Sequence, residues 1–225
     1  MNKKILALAI GIVVIVLGIG AGLYFYWTSP EYCFQQAQEA VQTHNEKQFA
    51  RYTDLDGLCN SSYLMFQNYE ASRDAELMHS RTGMIMFLQV RNLIQPEAVA
   101  SAKKTILSYV KNGRWTYGTE AGEYVSRGMA DTLDIPHTQV LDVQDVDTSH
   151  SDAVVSVKVK NSILTDGFVL KVNMRKEDGT WRINRINNLK EYLEAMDKVR
   201  NHKVKGAADF QFIFILQIRN LQNSN

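Results

Sequence analysis

Hydrophobic and polar positions follow three regimes along the chain. From Ile5 to Trp27 there is no alternation, and the run carries neither a charge nor a proline. Coiled as a helix at about 1.5 Å per residue it spans roughly 34 Å, enough to cross a hydrocarbon core of about 30 Å. From Ser29 to about Leu133, apolar residues return every three or four positions, the period of an amphipathic helix. From Leu141 the period shortens to two, the period of a strand with one wet face.

In the second regime, Ser29-Pro30-Glu31 opens a helix with a cap, a proline in the first turn and an acid. Phe34, Ala37 and Val41 carry one face of it to about His44, and Asn45 can end it. A short helix follows from about Glu46, with Phe49 and Tyr52 inward, and a longer one covers Cys59 to Tyr69. Ala75 to Ile94 suits another helix, although Gly83 weakens it and Met84 to Leu88 could also form a strand. Pro96 then begins a separate helix on Val99, Ala102, Ile106 and Val110, stopped by Gly113. Trp115 and Tyr117 sit in the connection, Thr119 caps a helix to about Leu133, and Pro136 closes it.

The third regime supplies strands. Leu141 and Val143 alternate with Asp142 and Gln144; Val155, Val157 and Val159 with Ser156 and Lys158; Phe168, Leu170, Val172 and Met174 with Lys171 and Asn173. Asp178-Gly179 joins the third strand to Trp181–Ile186 as a tight hairpin. Asn188-x-x-Glu191 then matches a capping box for a last helix, with Leu189, Leu193 and Met196 buried and Glu194 able to pair with Lys198. Helices first and a meander afterwards predict an α+β domain over 29–204, with helices in 29–133, strands in 138–187 and a helix in 188–201. Residues 205–225 form a tail in which Phe210, Phe212, Phe214, Leu216 and Ile218 alternate as in a strand.

Charge adds a direction. Lys3 and Lys4 precede the apolar run and the next basic residue is Lys47, which holds residues 1–4 in the cytoplasm and sends the rest across. Tyr24, Tyr26 and Trp27 fall where an interfacial aromatic belt would lie. A cleaved signal would have a shorter apolar region ending in small residues, so a retained single-pass anchor through residues 5–27 is the expectation, with the lipid bilayer as a partner. Ala7, Gly11, Gly18 and Gly22 share one stripe of that helix, and Gly18 and Gly22 make a GxxxG. The stripe suits a homo-oligomer or an envelope protein partner, while glycine is also simply common in membrane helices. Elsewhere charge is balanced, with 25 Lys and Arg against 24 Asp and Glu, so no nucleic-acid partner is expected. The two cysteines, Cys33 and Cys59, would lie in an oxidising compartment and could form a disulfide or remain two buried thiols.

Chemical signatures are sparse. There is no nucleophile elbow, phosphate loop or zinc-helix motif, and the five histidines are scattered. Asp54-x-Asp-Gly hints at calcium, but Met65 stands where the loop's closing glutamate belongs, so helix-capping aspartates are the expectation. No metal or cofactor is expected. Strict alternation puts Arg185 on the face of Trp181 and Ile183, and Asp145 on the face of Leu141 and Val143, making Arg185, Asp145 and Trp181 the pocket candidates. A bulge before Ile186 would instead turn Arg185 outward, with Asp145 at a frayed strand end, and that arrangement is favoured.

Taken together, Ser-Pro-Glu-Tyr after the apolar run, Phe49-Ala50-Arg51-Tyr52-Thr53-Asp54, the Pro96 helix, and Asp178-Gly179-Thr180-Trp181-Arg182-Ile183 before Asn188-Leu189 resemble a group of bacterial single-pass proteins of unknown function. Their exported part is similar to the cone-shaped fold of nuclear transport factor 2. The resemblance covers roughly residues 1 to 200 and implies a fold and a location, not a reaction. In layout the chain is also similar to single-span assembly factors of type IV secretion systems. A non-enzymatic binding or scaffold module outside the membrane is the leading expectation, ahead of an envelope-assembly subunit and of an enzyme using the cone interior.

Overall fold

The computed structural model describes residues 25–74, 79–117 and 121–203. Most of the apolar run, its stripe of Ala7, Gly11, Gly18 and Gly22, the Thr119 cap and the tail 205–225 lie outside the described residues. Among the described residues no helix is long and apolar enough to cross a membrane. The elements are α1 (Pro30–Gln42), α2 (Glu46–Tyr52), α3 (Leu55–Arg73), α4 (Arg81–Asn112), α5 (Ala121–Thr132), a 3-10 turn (Ile135–His137), β1 (Gln139–Ser149), β2 (Asp152–Lys160), β3 (Phe168–Glu177), β4 (Thr180–Ile186) and α6 (Leu189–Lys203). The strands form one antiparallel sheet in the order β1-β2-β3-β4, so the class is α+β.

Local chemistry starts the first helices. The Ser29 hydroxyl accepts from the Tyr32 amide at 3.1 Å, Asn45 from Gln48 at 3.1 Å, and Asp54 from Gly57 at 3.0 Å. Each side-chain oxygen takes up a donor that the first turn cannot pair. Asn45 thus begins α2, and the left-handed residue after α1 is His44, with φ of 56°.

The expected boundary at Pro96 is absent. Arg81 to Asn112 is one helix of 32 residues with the proline inside it, and Met84 to Leu88 is helical. A proline removes one backbone donor and crowds the preceding turn. Outside contacts brace that turn: Tyr63 Oη donates to the Arg91 carbonyl at 3.0 Å, and Gln95 donates to Asn60 Oδ1 at 3.1 Å. Gly113 ends α4 with φ of 66°, its amide on the Tyr109 carbonyl at 2.8 Å.

The sheet buries one face. Ala153, Val155, Val157 and Val159 of β2 lie beside Val172 and Met174 of β3, and Trp181 completes the layer. Phe34 and Ala37 of α1, Tyr63 and Phe66 of α3, and Leu189, Leu193 and Met196 of α6 cover it. Each fully buried large apolar side chain contributes about 1.5–3 kcal/mol, so this layer dominates stability. Beyond it, β4 is closed by the corner between α2 and α3: the Asp54 amide donates to the Ile183 carbonyl at 2.7 Å, and Arg182 to the Thr53 carbonyl at 3.0 Å. The β3–β4 turn uses Asp178 and Gly179 at φ of 48° and 79°, as the dipeptide predicts.

Two expectations about α6 change. The Asn188 side chain accepts from the Lys171 amide and donates to the Val169 carbonyl, both at 2.8 Å, so it fastens the start of α6 to β3. Glu194 pairs with Lys190 at 3.7 Å, the residue four positions before it, not with Lys198.

A buried polar joint links β2, α5 and α6. Tyr192 Oη donates to the Leu133 carbonyl at 3.0 Å and accepts from Asn161 Nδ2 at 2.6 Å. Asn161 Oδ1 accepts from the amides of Ile163 at 3.0 Å and Leu164 at 2.7 Å. Tyr192→Phe leaves buried polar groups unpaired and is expected to lower unfolding free energy by about 1–3 kcal/mol. Urea titration against Tyr124→Phe, at an exposed ring, measures this; equal midpoints for the two variants would show that the joint adds no stability.

Candidate functional site

The three residues singled out by alternation do not converge, and bulges are the reason. In the β3–β4 ladder Asn173 faces Arg185 and Met174 faces Ile183, so β4 carries one extra residue, Asn184. The insertion switches parity: Ile183 and Ile186 share the inner face and Arg185 is exposed, its Nε donating to Asn187 Oδ1 at 2.9 Å. Asn173, buried across the bulge, donates to Asn184 Oδ1 at 2.9 Å. The pocket role for Arg185 on strict alternation is therefore corrected, and the bulge arrangement is the one found.

β1 has two such insertions, at Leu141 and Gln144. Its inward series is Val140, Val143 and Val146, opposite Val159, Val157 and Val155, so the residues sharing a face stand three apart. Asp145 pairs with Ser156 on the outer face and is exposed. It is also not at a frayed end, since β1 continues to Ser149. Trp181 is 3 % exposed and fills the core; its indole Nε1 donates to the Thr28 carbonyl at 3.0 Å, and Lys176 Nζ lies 5.6 Å from its ring centre. It is a core anchor for the start of α1.

The other candidates resolve individually. Asp54 caps α3, and Asp56 pairs with Lys103 of α4. Among the described residues no three His, Cys, Asp or Glu side chains come together as a metal site. Of the two alternatives for the cysteines, the structure holds free thiols: Cys33 and Cys59 are both buried and unbridged. Burial pushes the Cys59 thiol up to about 12 and raises Cys33 as well, so both are protonated at neutral pH and poor nucleophiles.

One apolar feature is a partly open cavity of about 150 Å³ between α3, α4 and α5, with Ile186 and Leu189 at one end. Leu58, Cys59 and Ser62 of α3 line it, with Ala102, Thr105 and Ile106 of α4 and Ser126, Met129 and Ala130 of α5. Trp115 completes a wall, stacked on Tyr109 with ring centres 4.1 Å apart and planes 13° from parallel. Ile135, 37 % exposed, carries the lining out to the surface. Sequence reading missed this site. Its signal was the small residues Ser62, Ala102, Ser126 and Ala130 on three helix faces, which leave room where larger side chains would meet.

Asp134 lies where α5 turns toward β1. It adopts a left-handed backbone at φ of 51°, and its carboxylate accepts from the Ser162 amide at 2.9 Å, from the Ser162 hydroxyl and from His137 Nδ1. Burial alone would raise this carboxyl, but the Ser162 and His137 hydrogen bonds outweigh it and hold it below the ordinary range.

Comparison with models of protein families, with curated proteins and with solved structures finds no match to the chain. Class and site therefore stand on the geometry: an α+β domain that offers an apolar cavity between three of its helices.

The lowered Asp134 carboxyl sets an acid dependence. Because the folded value lies below the unfolded one, its contribution is present above about pH 4 and is lost as pH falls through the folded value. Asp134→Asn is expected to flatten the acid limb of a stability–pH curve, measured by denaturant unfolding from neutral pH downward. An unchanged acid limb in the variant would remove Asp134 as its source.

Proposed function

We propose that this is a single-pass membrane protein, N-terminus in the cytoplasm, whose α+β domain acts outside the cell membrane by binding rather than catalysis. The observation that carries the reading is the charge-free run Ile5–Trp27 behind Lys3 and Lys4. The geometry at its end is compatible. Phe25, Tyr26 and Trp27 are 72 %, 50 % and 56 % exposed, and they directly precede the Thr28 carbonyl held by Trp181. Tyr26 and Tyr32 rings approach to 5.5 Å. Aromatic rings at that position suit the interfacial layer of a bilayer, with the domain held close to it.

The same reading takes the helices packed on one face of a bulged meander as a cone similar to nuclear transport factor 2. Binding is favoured over chemistry because Arg185 and Asp145 face outward and the interior cavity is lined by apolar groups. The glycine stripe of the membrane segment supports self-association or an envelope partner as the scaffold's second contact.

The test uses the full chain in a bacterial host. It is expected in carbonate-washed membranes, with residues beyond 28 digested by protease added to spheroplasts. A soluble mature chain lacking the first thirty or so residues would overturn the anchor. For the scaffold, Gly18→Ile is expected to convert the detergent-solubilised oligomer to a monomer; a wild-type monomer would remove the self-association.

A further inference from the structure

We propose that the cavity between α3, α4 and α5 binds a free, uncharged, apolar molecule about the size of one aromatic ring. The inference deepens the binding half of the function above and is independent of the tether.

Size comes first. The space measures about 150 Å³ and is open to solvent on one side; an apolar space near that volume is large enough for benzene. A long acyl chain would fit only in part, its remainder left in solvent. Chemistry narrows the class further. Two of the three hydroxyls in the lining, those of Thr105 and Ser126, are already engaged inside the protein. Thr105 Oγ1 donates to the Thr116 carbonyl at 3.4 Å, and Ser126 Oγ pairs with Ser101 Oγ at 2.8 Å and donates to the Glu123 carbonyl at 3.1 Å. The Cys59 thiol, kept neutral by burial, behaves as another apolar surface. A ligand with a charge or several hydrogen-bonding groups would lose its hydration there and could regain at most the Ser62 hydroxyl. A hydrocarbon ring loses nothing polar and gains contacts with Met129 and the face or edge of Trp115. Access runs past Ile135, where the lining reaches solvent.

The test is methyl NMR on the full chain in lipid nanodiscs, with methionine methyls labelled and toluene as the probe. The expected result is a saturable shift of the Met129 methyl while Met174, buried under the sheet, does not move. Site resolution separates binding from toluene dissolved in the bilayer. Ala102→Leu and Ala130→Leu fill the space from opposite helices, and in each the Met129 response is expected to disappear with the Met174 resonance in place. An unmoved Met129 in the unaltered protein up to the solubility of toluene would overturn the proposal, whatever the variants do. So would an equal response in both filled variants, or a response to decanoate in the absence of one to toluene. None of these outcomes depends on membrane topology, so a failed anchor and a failed cavity are read separately.

Discussion

A sheet covered by helices on one side must direct its large apolar side chains to that side, and the rest of this domain follows from how it does so. β2 manages it with plain alternation: Ala153, Val155, Val157 and Val159 all face inward. β1 and β4 read as alternating in sequence, but each sets its inward face by inserting residues: Leu141 and Gln144 in one, Asn184 in the other. The insertions at Gln144 and Asn184 move a charged neighbour, Asp145 and Arg185 respectively, to the wet side. The cost of leaving an ion in a dry core far exceeds that of a local kink in a ladder, so the bulges are the lower-energy solution.

Polar side chains hold the places where elements change direction. Asn188 fastens α6 to β3, and Asn161 with Tyr192 fastens the end of β2 to α6 and α5. On the far side of α6, Asp197 accepts from Tyr69 at 2.6 Å and pairs with Arg73 at 3.2 Å, while Arg200 donates to the Thr132 carbonyl at 2.6 Å. Four of these seven bonds end on backbone groups, two at the end of α5 and two on β3. They fix the angle between helices more than they add net stability, because each replaces a bond to water.

The cavity and the Trp181 anchor sit in different parts of the domain. Trp181 joins the core to Thr28, the entry point of the chain, whereas the cavity opens beside Ile135, after α5. In the function proposed above, the tether and the ligand site therefore lie in separate parts of the domain.

Sequence alone determined the features whose causes lie within a turn or a hairpin. The Ser29 cap, the Gly113 stop, the Asp178-Gly179 turn and the Leu189, Leu193, Met196 stripe all depend on neighbours a few residues away, and the structure has each of them. Tertiary contact decided the rest. Pro96 reads as a helix boundary until Tyr63, 28 residues before Arg91, braces the turn around it. Asn188 reads as a cap until β3 offers it backbone partners, and alternation reads as two until a bulge supplies an extra residue. The cavity belongs to no one segment, because its volume is what three helices leave unfilled when their small residues meet. Local bonding is encoded where it acts, while parity, continuity and empty space depend on which distant parts of the chain come to lie alongside.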